Sequence, residues 1–216
     1  MTVNDRIEST ELASRLETLP QWRKLAGKLC TVYETKSSAE AIELFSDIAG
    51  AAQMANHHPD VDWRYNLLFV STVSHDAGGD ITERDLALAS EISQRAAALH
   101  AKARLDLIKV VEIGIDTDDA QAISGQWAAG LGYREQPDGS LADPAGRLPA
   151  IWFQDTPTPH PSRLHLDVWV PHAESAGVLS RLESQGAVLD ERSAPAFTIA
   201  SDHQGNRFCI CTEQDR

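Results

Sequence analysis

The chain has 216 residues, 42% apolar and 24% charged, the make-up of an ordinary globular protein with room for one large domain or two of about 100 residues. Its net charge of −13, from 32 acidic against 19 basic residues, argues against nucleic acid or an anionic membrane surface as a partner, since both demand clustered Lys and Arg. No apolar run reaches the ~18 residues of a membrane span, Met1-Thr2-Val3-Asn4-Asp5 does not open a signal peptide, and the odd trio Cys30, Cys209 and Cys211 suits a reducing cytoplasm better than a disulfide framework.

A first helix is expected after Ser9 or Thr10, either of which can cap it, with Leu12, Leu16 and Leu19 at helical spacing before Pro20. Residues 22–34 hold two short strand-like runs about Gly27, ending in Cys30-Thr31-Val32-Tyr33. A second helix starts near Ser37-Ser38, shows Ile42, Phe45, Ala49 and Ala52 on one face, and stops before Pro59. There follows the most telling stretch: Gln53-Met54-Ala55-Asn56-His57-His58-Pro59-Asp60, then Tyr65-Asn66, then Ser74-His75-Asp76. Three of the eight histidines fall within 19 residues, and a side chain that titrates near neutrality suggests proton transfer or a metal.

As one strand rising ~3.3 Å per residue, residues 59–75 would hold His57 and His75 far apart. A hairpin turning near Arg64-Tyr65-Asn66 instead makes them approximate cross-strand neighbours, symmetric about Asn66. Asn favours turns and Leu67-Leu68-Phe69-Val70 suits a returning strand, so the hairpin is preferred. Gly78-Gly79 turns the chain again. Thr82-Glu83-Arg84-Asp85 reads as a capping box that opens a third helix with the buried stripe Leu86, Ala89, Ile92, Ala96 and Leu99.

Beyond residues 100–107 the pattern becomes a weak internal repeat. Strand 111–115 precedes a helix (Ile123, Trp127, Leu131) and Gly132-Tyr133; strand 164–168 precedes a helix (Val178, Leu179, Leu182) and Gly186-Ala187. Each unit closes with Asp-x-x-Gly and a strand: Asp143 to Gly146 before Ile151-Trp152-Phe153, and Asp202 to Gly205 before Phe208-Cys209-Ile210. The connector Thr156-Pro157-Thr158-Pro159-His160-Pro161 separates them. The expected class is α+β: residues 1–104 form helix, hairpin, helix, hairpin, helix with an antiparallel sheet, and residues 105–216 form a paired βαβββ domain.

The first half resembles the pterin-4a-carbinolamine dehydratases over about residues 8–100. Their pattern is a charged residue, three positions, His-His-Pro, an aromatic five or six positions on, a histidine after nine more, and an aspartate about ten later. This chain gives Gln53, His57-His58-Pro59, Tyr65, His75 and Asp85. It departs at Gln53, usually charged and commonly Glu, which can hydrogen-bond a pterin or a histidine but cannot take a proton. The resemblance implies loss of water from a 4a-hydroxytetrahydropterin, giving quinonoid dihydropterin, by histidine acid/base catalysis without metal or redox cofactor. His57 and His75 are the implied facing pair, His58 binds or shares proton transfer, and Gln53, Asp60, Trp63, Ser74 and Asp76 are expected around the pterin. Asp85 is fully accounted for as the cap of the third helix. Oligomers of identical chains are expected.

The second half, about residues 108–213, resembles the vicinal-oxygen-chelate, or glyoxalase-like, fold through its paired units and Leu131-Gly132-Tyr133. Metal-dependent members draw ligands from the first and last strands of each unit. Glu112 and His165 occupy first-strand slots, but Ala150 and Cys209 stand where carboxylates are expected, so the metal-free reading leads. Trp127, Trp152, Phe153 and Trp169 are candidate walls of a ligand pocket, and more often core. Two other functions stay open: a non-catalytic pterin-binding or dimerisation module, and a metal-dependent enzyme using Glu112 and His165.

Overall fold

The computed structural model describes residues 7–158 and 160–215, so the first residues read above for a leader, and Pro159 of the connector, lie outside it. Two compact units divide the chain, residues 1–108 and 109–216. Among the described residues no helix is long and apolar enough to cross a membrane.

In the first unit α1 (Ser9–Glu17) starts one residue earlier than expected, with Glu8 at the cap position and no side-chain cap bond. The strands β1 (Arg23–Leu25) and β2 (Lys28–Glu34) turn through Ala26 and Gly27, both at positive φ, which glycine accepts without strain. Ser37 caps α2 (Ser38–Ala55) by accepting from the Glu40 N–H. The expected hairpin is present as β3 (Asp60–Arg64) and β4 (Leu67–Thr72), joined by Tyr65-Asn66 with Tyr65 at φ 55°. Its register, Arg64 opposite Leu67 and Asp60 opposite Ser71, centres the turn between residues 65 and 66. Continued outward, that register sets Ser74 rather than His75 across from His57.

Thr82 and Asp85 form the expected capping box of α3 (Glu83–Ala98), and the short β5 (Lys102–Ala103) returns to pair with β2. The sheet order is β1-β2-β4-β3, antiparallel throughout. Trp22, Leu29, Leu44, Ile48, Leu68 and Ile92 anchor the core between sheet and helices. On α2 the buried stripe is Ala41, Leu44, Ile48, Ala51 and Ala52, whereas Ile42 and Phe45 of the expected face stand 50% and 44% exposed. The helix is apolar on more than one side.

The second unit is built twice from one plan. The first half comprises β6 (Val110–Thr117), α4 (Ala120–Leu131), β7 (Arg134–Glu135), β8 (Leu141–Ala142) and β9 (Ile151–Asp155). The second comprises β10 (Leu164–Trp169), α5 (His172–Ser184), β11 (Val188–Asp190), β12 (Phe197–Ser201) and β13 (Arg207–Cys211). In each half the last strand lies parallel beside the first, β9 on β6 and β13 on β10, and the two first strands pair antiparallel at the centre. The order β11-β12-β13-β10-β6-β9-β8-β7 is therefore pseudo-symmetric. The repeated Asp-x-x-Gly also has a physical cause. Asp143 accepts from the N–H groups of Ala145 and Arg147, Asp202 from those of Gln204 and Asn206, and the following glycines sit at φ 66° and 83°.

Candidate functional site

The left-handed Asn56 (φ 47°) ends α2, and the His57 N–H donates back to the Ala52 carbonyl at 3.1 Å. This sharp exit directs the His57 side chain inward, where only 6% of the residue is exposed. Its Nε2 lies 2.7 Å from Asp85 Oδ1 and 3.2 Å from Thr72 Oγ1. Asp85, wholly buried at the start of α3, collects further donors: Thr72 Oγ1 at 2.7 Å, Ser74 Oγ at 2.7 Å and the Thr82 N–H at 2.9 Å. Burial pushes the Asp85 carboxyl up, but donation by Thr82, His57, Ser74 and Thr72 outweighs it and holds the group below its ordinary range.

A carboxylate only accepts, so the His57 nitrogen facing it must carry hydrogen. Nε2–H thus points at Asp85, and Nδ1 is left as the basic nitrogen of the neutral ring. Asp85 is therefore both the cap expected from the sequence and the partner that orients His57. The second role, and the part played by Thr72, had no local signal.

Of the other expected residues, all but Ser74 are exposed. Ser74 is buried in the network, and His75 follows it, exposed, as the first residue of a 3-10 turn, His75–Ala77. His58 and Gln53 are exposed on either side of the α2 exit. Asp76 is bound by both guanidinium nitrogens of Arg84, which lowers its pKa. Asp60 is exposed at the foot of β3, 3.7 Å from Lys28 Nζ. Trp63 lies three residues past Asp60 on β3, about 10 Å further along the strand at ~3.3 Å per residue. Its indole N–H donates to the Tyr65 carbonyl at the hairpin turn.

The second unit holds a cavity of about 550 Å³ walled by Trp152, Phe153, Phe197 and Ile199. His165, Asp167 and Cys209 border it, all buried, with one donor atom of each within 4.8 Å of the others. Glu112 is not in this group, since its carboxylate accepts from the Trp169 indole at 2.7 Å. Trp127 packs in the core with Ile115 and Tyr133, as aromatic residues usually do. Burial first, and the neighbouring Asp167 next, push the Cys209 thiol well up, and all three cysteines are buried.

Residues 5–95 match the family "Pterin 4 alpha carbinolamine dehydratase", and residues 112–211 match "Glyoxalase-like domain". A relative from Thermomicrobium roseum carrying the pterin-4-alpha-carbinolamine dehydratase name is 37% identical over 91 residues, which are 42% of this chain and 97% of that protein. One of the same name from Acidobacterium capsulatum is 41% identical over 38% of this chain and 87% of its own length. Among solved structures, a transcriptional coactivator/pterin dehydratase from Brucella melitensis aligns with 43% of this chain and 99% of its own at 23% identity and TM-score 0.41. A glyoxalase/bleomycin resistance protein/dioxygenase superfamily member from Vibrio splendidus covers 49% of this chain at 14% identity and TM-score 0.34. The chain belongs to the pterin-4-alpha-carbinolamine dehydratase family through its first unit, joined to a glyoxalase-like second unit.

Proposed function

We propose that the first unit is a hydro-lyase, a 4a-hydroxytetrahydrobiopterin dehydratase that converts a 4a-hydroxytetrahydropterin to the quinonoid dihydropterin. The observation that carries this reading is the buried His57–Asp85 pair, which orients the ring through Nε2 and leaves Nδ1 for proton transfer. In the reaction the C4a–O bond breaks as the hydroxyl gains a proton and leaves as water. The N5–H electrons form the C4a=N5 bond as that proton passes to a base. His57 Nδ1 is the base, and the exposed His75, with His58, protonates the leaving hydroxyl. Each such group is worth about 10²–10⁴-fold in rate. Gln53 contributes a hydrogen bond to the pterin but no charge, and Ser74 and Asp76 hold the turn that carries His75. Asp60, at the start of β3, adds to the pterin surroundings, and Trp63, nearer the hairpin turn, is the member of the set to test first.

The purified chain, given the carbinolamine, is expected to speed quinonoid dihydropterin formation well above buffer. A rate equal to buffer sinks the reading. A second function, self-assembly, is supported by Ile42 and Phe45 standing exposed on α2. On this reading sedimentation finds an oligomer that Phe45→Lys dissociates. A wild-type monomer removes it.

A further inference from the structure

The loop between β4 and α3 carries His75 in the open but hangs from a buried residue. Ser74 is wholly buried, whereas His75, Asp76, Gly78 and Gly79 after it are exposed. Every polar group of Ser74 is used here. Its carbonyl accepts from the N–H groups of Ala77 at 3.0 Å and Gly79 at 3.1 Å, and its own N–H donates to the Asp80 carbonyl at 3.1 Å. Those bonds close residues 74–80 into one body, with Gly78 and Gly79 at φ 75° and 84°. They do not fix that body against the core. The Ser74 hydroxyl supplies that link by donating to Asp85 Oδ2 at 2.7 Å.

The two oxygens of Asp85 thus divide the site between the two histidines. Oδ1 takes the His57 Nε2–H and the Thr72 hydroxyl, each at 2.7 Å. Oδ2 takes the Ser74 hydroxyl, together with the Thr82 N–H at 2.9 Å and the Thr82 hydroxyl at 3.1 Å. One carboxylate therefore holds the ring of His57 directly and, through a serine, the backbone that carries His75. Hydrogen bonds to an ionised acceptor are about twice as strong as neutral ones, and burial strengthens them further. The loop's other tether, Asp76 to Arg84, lies on the surface, where such pairs add little.

We propose that Ser74 is a positioning residue: through it the Asp85 carboxylate sets the place of His75 as well as the orientation of His57, and so holds acid and base in one frame. This role rests on the dehydratase reading of the first unit. Ser74 does not itself reach a pterin, since none of its surface is open. Loss of its hydroxyl leaves the His57 side standing, because Oδ1 keeps both of its donors and Oδ2 keeps the two from Thr82. The defect falls on His75, and misplacing a catalytic group by about 1 Å can cost up to about 10²-fold in rate.

The test compares Ser74→Ala and Ser74→Thr with the parent full chain, all of matching circular dichroism, in steady-state dehydration and in amide hydrogen exchange. Ser74→Ala is expected to lower kcat at least about tenfold with KM within about twofold, and Ser74→Thr, which keeps the hydroxyl, to recover most of the loss. In a His75→Ala background Ser74→Ala is expected to change kcat less than about twofold, while in His57→Ala it keeps its full effect. Equal effects in the two backgrounds overturn the proposal, as does a Ser74→Ala chain of parental kcat. Exchange reads the tether without turnover: the Ala77 and Gly79 amides are expected to exchange at least about tenfold faster in Ser74→Ala, with the His57 amide unchanged. Unchanged exchange at Ala77 and Gly79 overturns the tether whatever the rates. Faster exchange in a chain whose parent shows no turnover upholds the tether and sinks the dehydratase reading instead.

Discussion

The two units each bury one histidine, and the two are solved differently. His57 is 6% exposed and His165 8%, so burial alone does not separate them. Around His57 the protein supplies a full set of partners on the Nε2 side: Asp85 takes the ring hydrogen, and Thr72, Ser74 and Thr82 satisfy the carboxylate. Around His165 it supplies two carboxylates at 3.5 and 3.8 Å, a thiol, and a ring nitrogen without a hydrogen bond. A completed network fixes a proton and suits acid/base work; an incomplete one does not. The lesson is that a buried histidine is read from what its two nitrogens meet.

The largest expected effect falls on the completed network. Asp85→Asn replaces a pure acceptor with a group that can donate to Nε2, so the ring hydrogen moves to Nδ1 and the base is lost. A fall in kcat of about 10²–10⁴-fold is expected, with KM changed far less, in steady-state dehydration assays. A fall shared equally by Gly114→Ala would erase the distinction between the units.

Acid stability sharpens the same point. The folded Asp85 titrates below the ordinary carboxylate value of about 3.9, so its stabilisation is fully present above that pH and fades as the pH drops through the lower folded value. Urea melts from pH 5 down to 2 are expected to lose stability more steeply for the parent than for Asp85→Asn. Parallel curves would mean that the carboxylate is not held ionised by its donors.

Smaller effects separate packing from hydrogen bonding. Gly114→Ala sets a Cβ 2.4 Å from His165 Nε2, and the resulting overpacking is expected to cost about 1–3 kcal/mol in urea denaturation, with pterin turnover intact. Thr72→Val removes one donor from Asp85 at similar volume and is expected to cost about 1–2 kcal/mol, with a modest loss of turnover. Equal costs for Thr72→Val and an exposed control such as Thr10→Val would mean that the network adds no stability.

Much of this was legible in the chain. The hairpin followed from Asn66 and the run after it, and only the turn centre slipped by half a residue, because Tyr65 accepts a left-handed φ that its side chain gives no reason to expect. The pseudo-repeat was visible because each half needs the same Asp-x-x-Gly turn. The buried face of α2 was not, since a helix apolar on several sides fits more than one stripe and the choice rests on what packs against it. Asp85 carried a sufficient local explanation as a cap, which hid its tertiary one. The His165 group was half visible: Asp167 two residues on must share its face, but the approach of Cys209 depends on a register that no local pattern encodes.

The most direct test of the account compares His57→Ala and His165→Ala with the parent chain, all folded by circular dichroism, for the rate of quinonoid dihydropterin formation from the carbinolamine. The account predicts that His57→Ala loses at least about 10²-fold and His165→Ala retains the parent rate. Full activity in His57→Ala would contradict it.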